Sequence, residues 1–284
     1  MNLVVGGTGP CVFYLASTEV FITNWNFEVN LTDWTGKPAA GNIARIEDVL
    51  TFWGEYSMKV DASSDLNAYA LTTVETSAEL WGRSFILEFA IRTDVDRDIK
   101  ILIKDVDDYQ TFNQTFTAES GKFTHYFYYF VFLPLGSPVI GPTEIEVRLY
   151  GTDTMLGLSY FDNVNLYEVT EKINLRVPEV FESVFGKELE ARFELLSGRT
   201  QEYLRGWRFQ ASMAYEYLTK VEEEKRTRIS DSDLMVFQPH DDNEFMVVSR
   251  WNGDFARTYF GDIYVGHTGS INLIGAHLLN KSPV

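Results

Sequence analysis

The sequence predicts a mainly β protein: an N-terminal antiparallel β-sandwich of jelly-roll form, followed by a smaller β-sandwich domain carrying one short helix. Three observations lead there. From about residue 20 to residue 170, apolar and polar side chains alternate with a period of two, the mark of strands with one buried and one wet face. Turn-rich stretches such as "DASSDLN", "TAESGK" and "PLGSPVIGP" separate these runs, and no segment of helical period fills the gaps. Near Pro178 the pattern changes, and after it one charged stretch of helical spacing interrupts renewed alternation.

Residues 1–19 read as an N-terminal arm or a first strand. The glycines of "VVGGTGP" lack the lysine and Ser/Thr of a phosphate loop, and Pro10 follows at once. The segment is mildly apolar without the basic stretch that opens a secretory signal, so export by the usual route is not expected. Residues 20–170 form the jelly roll. In "SFILEFAIRT", Phe85, Leu87, Phe89 and Ile91 face one way; Ile99, Ile101 and Ile103 of "DIKILIKDV" do so against Lys100 and Lys104, and Ile145, Val147 and Leu149 of "TEIEVRLYG" repeat the pattern. "THYFYYFVFLP" is aromatic on both faces, which fits a central strand or one whose outer face meets something else.

A linker is expected at residues 171–180 and a second domain at 181–284. There "KELEARFELL" and "RGWRFQASMAY" alternate, the latter with Trp207, Phe209, Ala211, Met213 and Tyr215 on one side. In "YLTKVEEEKRTRISD", Leu218, Val221, Lys225 and Ile229 recur at helical intervals, predicting a surface helix laid on a sheet by that face. Strands resume to the end, giving the order β-β-α-β-β-β-β.

Composition excludes several functions. A formal charge of -17 opposes contact with a nucleic-acid backbone, so no direct nucleic-acid binding is expected. No apolar run reaches the roughly 18 residues of a membrane span. The single cysteine, Cys11, rules out an internal disulfide framework and a multi-cysteine zinc site, in keeping with assembly in a reducing cytoplasm. No G-x-S-x-G elbow occurs, the carboxylates of "DVDDY" form no recognisable pair, and His240 with His267 and Asp241 or Asp242 has no metal-site spacing. No catalytic activity is expected.

"NWNFEVNLTDW", "GEYSMKVDA", "FILEFAIRT" and "YFDNVNLYEV", in that order, together resemble the jelly-roll carbohydrate-binding modules of the galactose-binding-domain-like type, over about half the chain. The resemblance implies a structural calcium held by Glu28 of the first strand and Asp162 before the last; the residues alone equally allow Asp162 and Asn163 to cap a turn. It implies sugar binding by exposed rings, for which the candidates are Trp53, Tyr69, Trp81, Tyr109 and Phe112, with Asn67, Gln110, Asp107 and Asp108 as polar partners. For each ring, burial in the core is the competing reading. Trp34 stands where that family packs a tryptophan inside.

"RGWRFQASMAYEYL", the helix after it and "TYFGDIYVGHTGSINLIGAHLL" resemble, more faintly, the β-sandwich-plus-helix modules of bacteriophage tail proteins. The two resemblances together imply a structural virion protein of a phage tail or baseplate, assembled in the host cytoplasm. Its partners would be copies of itself in a ring, other tail proteins and host surface polysaccharide. A free-standing carbohydrate-binding protein is the alternative.

Overall fold

The computed structural model describes residues 9–17, 19, 21–47, 54–134, 141–178, 180–194, 200–239, 247–251, 258–259 and 267–277; from 180 to 211, at 216 and 217 and from 247 onward it describes only the main chain. Two compact units divide the chain. One is Glu19–Glu168, and the other joins Met1–Thr18 to Val169–Val284.

Strand β1 (Cys11–Ala16), "CVFYLA", is buried along its whole length, as a continuous apolar run demands. It belongs to the second unit, although it precedes the first in sequence. The jelly-roll unit then runs through β2 (Thr35–Lys37), β3 (Ile43–Glu47), β4 (Tyr56–Asp61), β5 (Tyr69–Glu75), β6 (Ser84–Thr93), β7 (Arg97–Asp105), β8 (Thr111–Ala118), β9 (Thr124–Val131), β10 (Glu144–Tyr150) and the first part of β11 (Leu158–Leu175). These strands make two antiparallel five-stranded sheets, in the orders β2-β5-β10-β7-β8 and β3-β4-β11-β6-β9.

One core fills the space between them. Ala70, Val74, Ile99, Ile101, Ile103, Ile145, Val147 and Leu149 of the first sheet meet Met58, Val60, Phe85, Leu87, Phe89, Phe130 and Phe161 of the second. The alternation predicted for "SFILEFAIRT", "DIKILIKDV" and "TEIEVRLYG" therefore sets which residues point inward. Trp34 is buried and meets Phe27 edge-on at 5.7 Å, as its place in the sequence suggests. "THYFYYFVFLP" differs from a central strand: β9 pairs only with β6 and ends the second sheet among the described residues. Tyr126, Tyr128 and Phe130 pack inward on Phe116 and Phe112, while His125 and Phe127 meet each other on the far face at 4.6 Å.

The second unit contains β12 (Val180–Glu194), β13 (Thr200–Leu218), helix α1 (Lys220–Ser230), β14 (Met235–Gln238), β15 (Val247–Trp251), β16 (Thr258–Tyr259) and β17 (His267–His277). Its sheet order is β12-β13-β17-β15-β14-β1 and then the Val169–Leu175 part of β11, with β16 against β17. Residues 171–175, expected in a linker, are thus strand: Cys11–Leu15 takes up their hydrogen bonds in continuous register. Phe13, Leu15, Ile173, Met213, Tyr215, Leu218, Ile229, Met235 and Phe237 form the core.

α1 starts where a capping box dictates, with the Thr219 hydroxyl accepting from Glu222 N and the Glu222 carboxylate accepting from Thr219 N. That start leaves Leu218 in β13 and turns Glu223, Arg226 and Ile229 inward, while Val221 is 61% exposed. The predicted apolar face therefore shares only Ile229 with the observed one. Arg226 is fully buried. No helix among the described residues is long and apolar enough to cross a membrane.

Candidate functional site

The alternation that sends the isoleucines of β7 and β10 inward sends their neighbours outward, so the free face of the first sheet is a grid fixed by strand register. Lys37 of β2 opposes Tyr69 of β5, Tyr69 opposes Tyr150 of β10, and Lys100 of β7 opposes Thr115 of β8. Beside this row lie Thr35, Leu71, Arg148, Leu102 and Asn113, and beyond them Thr73, Glu146, Lys104 and Thr111.

Two tyrosines hold the centre of the first row, with ring centroids 4.8 Å apart and planes inclined by 36°. Lys100 Nζ stands 4.9 Å from the Tyr150 ring and the Arg148 guanidinium 5.1 Å from the Tyr69 ring. Arg148 is held by Glu146. Lys104 is held by Asp108 at 2.6 Å, which keeps the Asp108 carboxyl below its usual range. Thr111, Asn113, Thr115 and Thr117 of β8 line the edge, all exposed. Paired rings offer a flat apolar contact, and the hydroxyls, amide and cations around them offer hydrogen bonds to a polyhydroxylated ligand.

The structure separates the candidates named from sequence. Tyr69 stands in this grid. Asn67, two residues before it, is exposed in a turn where its amide N–H donates to Asp65. Trp81, Tyr109 and Gln110 gather elsewhere: Trp81 is half-buried and meets Tyr109 edge-on at 6.0 Å. Gln110 clamps the Leu133 main chain, donating to its carbonyl at 2.5 Å and accepting from its amide at 2.9 Å. The intervening turn is built by buried Asp105, which accepts from the amides of Asp107, Tyr109 and Gln110. Phe112 points into the core, 5.1 Å from both Phe130 and Phe132. Trp53 lies outside the described residues, as do His240, Asp241 and Asp242. Tyr150, Arg148, Lys100 and Lys37 were not among the candidates, yet the outward half of "TEIEVRLYG" and "DIKILIKDV" names three of them.

A second polar cluster lies on the outer side of β6. Glu88 is only 5% exposed and accepts from Asn163 Nδ2 at 2.8 Å, Asn165 Nδ2 at 3.3 Å and Tyr167 Oη at 2.6 Å, with His125 Nε2 at 2.8 Å. A positive φ of 51° at Asn163 breaks the alternation of β11 and brings its asparagines to Glu88. Burial, with the Glu88 charge alongside, pushes the Tyr167 hydroxyl far above its ordinary range. Four partners fill the accepting capacity of one carboxylate, so this cluster is a closed structural knot with no oxygen left for a ligand.

The calcium implied at Glu28 and Asp162 meets a poor fit. Glu28 Oε1 accepts from the amides of Glu55 at 3.0 Å and Tyr56 at 2.9 Å, and Asp162 Oδ1 from the amide of Asn163 at 2.7 Å. Gly54 has φ +68°, and a Cβ there would overlap the Glu28 carboxylate, so the loop closes tightly on it. The neighbouring carbonyls are also occupied, because Arg45 donates to Phe27 O at 2.7 Å and to Glu28 O. Calcium needs six to eight free oxygens. Here amide hydrogens and a guanidinium already face the oxygens, and among the described residues no group of three or more His, Cys, Asp or Glu side chains is arranged to hold a metal ion.

The chain is similar over about half its length to solved carbohydrate-binding modules. TmCBM61, solved in complex with β-1,4-galactotriose, matches 52% of this chain and 98% of its own at 11% identity and a TM-score of 0.40. The CBM22-1 xylan-binding domain of Paenibacillus barcinonensis Xyn10C matches 59% and 99% at 11% identity and a TM-score of 0.40. The enzymatically active domain of tailspike protein 4 from bacteriophage CBA120 matches 53% of this chain and 21% of its own at 17% identity and a TM-score of 0.38. No family model matches the chain, and no curated protein matches it.

Proposed function

We propose that the jelly-roll unit is a non-catalytic glycan-binding module whose binding surface is the free face of the β2-β5-β10-β7-β8 sheet. The observation that carries this is the Tyr69–Tyr150 pair: two large rings held 4.8 Å apart on an outward face, ringed by hydroxyl, amide and cationic groups instead of core. Sugars present apolar C–H faces between hydroxyls, and this surface offers the complement to both. The buried Glu88 carboxylate is consumed by its four partners, and buried Asp105 and Asp162 accept from main-chain amides, so no catalytic step is assigned.

The wider reading belongs to the same proposal. The chain is a structural protein of a bacteriophage tail or baseplate, its second unit joining copies in a ring and meeting other tail proteins, its jelly roll offered to host surface polysaccharide. The resemblance of "RGWRFQASMAYEYL" and the helix after it supports that reading. Affinity electrophoresis through gels containing plant and bacterial polysaccharides tests the binding surface: Tyr69→Ala and Tyr150→Ala should each weaken retention about tenfold, about 1.4 kcal/mol, while the far-UV spectrum is unchanged. Equal retention of both variants and the parent overturns the site. Mass measurement in solution, with antibody labelling of the native particle, tests the tail role. A monomer that labels no particle supports the free-standing alternative.

A further inference from the structure

The charges around the tyrosine pair narrow the ligand further, and this step rests on the sheet face being the glycan surface. Most basic side chains of the jelly-roll unit are spoken for. Lys59, Arg83, Arg97, Lys104, Lys122 and Arg148 each meet a carboxylate. Arg45 meets main-chain carbonyls. Lys37 and Lys100 meet no carboxylate among the described residues, and these two flank the tyrosines, one opposite Tyr69 and one over Tyr150.

In a chain of net charge -17, two unneutralised ammonium groups at either end of one aromatic row are against the trend. Two acids beside the β7–β8 pair are engaged by hydroxyls: Asp98 accepts from the Thr117 hydroxyl at 2.8 Å and Asp153 from that of Thr115 at 3.5 Å. Three interstrand steps separate Lys37 from Lys100, about 14 Å between their main chains. That is the span of a short oligosaccharide, with room for one acidic group at each end and stacked rings between.

We infer that this row selects an anionic polysaccharide, its two outer acidic groups taken by Lys37 and Lys100 and the sugar between them resting on Tyr69 and Tyr150. Neutral glycans would use the rings alone and bind more weakly. Long-range repulsion between the acidic chain and any polyanion makes ionic strength an ambiguous probe, since salt screens that repulsion as well as the lysine contacts. Substituting the lysines separates the two effects.

The experiment measures retention of the full chain on immobilised polygalacturonate, dextran sulfate, galactan and xylan. The parent should be held most tightly by an anionic polymer, and the polygalacturonate and dextran sulfate arms tell carboxylate from sulfate recognition. Lys37→Gln and Lys100→Gln should each weaken anionic binding two- to fivefold and together about tenfold, with galactan binding unmoved. Arginine at both positions should restore it, and Lys59→Gln, a paired lysine elsewhere, should change nothing. Retention on neutral polymers equal to or above that on anionic ones, or indifference to the paired Lys→Gln change, overturns the inference while the glycan surface stands. Retention on none of the four sinks both.

Discussion

The Arg45 guanidinium lies 3.2 Å from the centroid of the Tyr56 ring, and the same Tyr56 donates its amide to Glu28. Arg45 closes the circuit by donating to the carbonyl of Glu28. This corner therefore carries its own cation, so Arg45→Ala should cost about 2–4 kcal/mol in urea unfolding through lost charge-assisted bonds. Lysine should not restore it, because one ammonium cannot both stack and fork. Chelator should leave the melting temperature unchanged. A rise of several degrees on adding millimolar calcium would show that the ion binds the folded state after all.

Glu88 gives the sharpest stability test in the jelly roll. Glu88→Ala strands the amides of Asn163 and Asn165 and the hydroxyl of Tyr167, and should cost about 3 kcal/mol or more. Glu88→Gln keeps the shape but aims donors at donors, at a cost of about 1–3 kcal/mol. Tryptophan fluorescence against urea measures both, and glycan retention of either folded variant should equal that of the parent.

Cys11 is fully buried, and burial pushes its thiol from 9.0 to about 11, with a bond from Tyr215 opposing in part. A raised value in the folded state favours the neutral thiol. Its contribution to stability is complete below pH 9 and fades as pH climbs toward 11. Ellman's reagent at pH 8 should find no thiol in the native protein and one after unfolding.

Thr219→Ala removes the acceptor for Glu222 N at the start of α1 and should lower stability by about 1 kcal/mol. Serine should restore most of it. Thermal unfolding followed at 222 nm reads the difference.

Sequence alternation was legible in β6, β7 and β10, whose inward residues could be read directly, although the outer side of β6 is covered as well. It also held the outward grid: once Ile145, Val147 and Leu149 face inward, Glu146, Arg148 and Tyr150 face out. Aromatics were harder because parity, not ring type, decides exposure. Phe112 and Phe116 share the inward parity of β8, whereas Trp81 sits in a turn that has no period. The helix face misled because its inward positions, Glu223 and Arg226, are charged, and composition assigns such residues to water. Nothing local in "CVFYLA" could announce a partner at Val169–Leu175; a fully apolar strand states that both faces are covered without naming what covers them.

That last pairing has a consequence for biosynthesis. Cys11 is made early, but its partner Leu175 follows the entire jelly roll, and Phe13 also awaits Phe237. A ribosome-bound chain must therefore keep a greasy strand unsatisfied while roughly 150 residues are completed, a long interval of exposure to chaperones and to neighbouring nascent chains. A lesion in "CVFYLA" should accordingly spare the jelly-roll unit that follows it and cripple the one that is finished last.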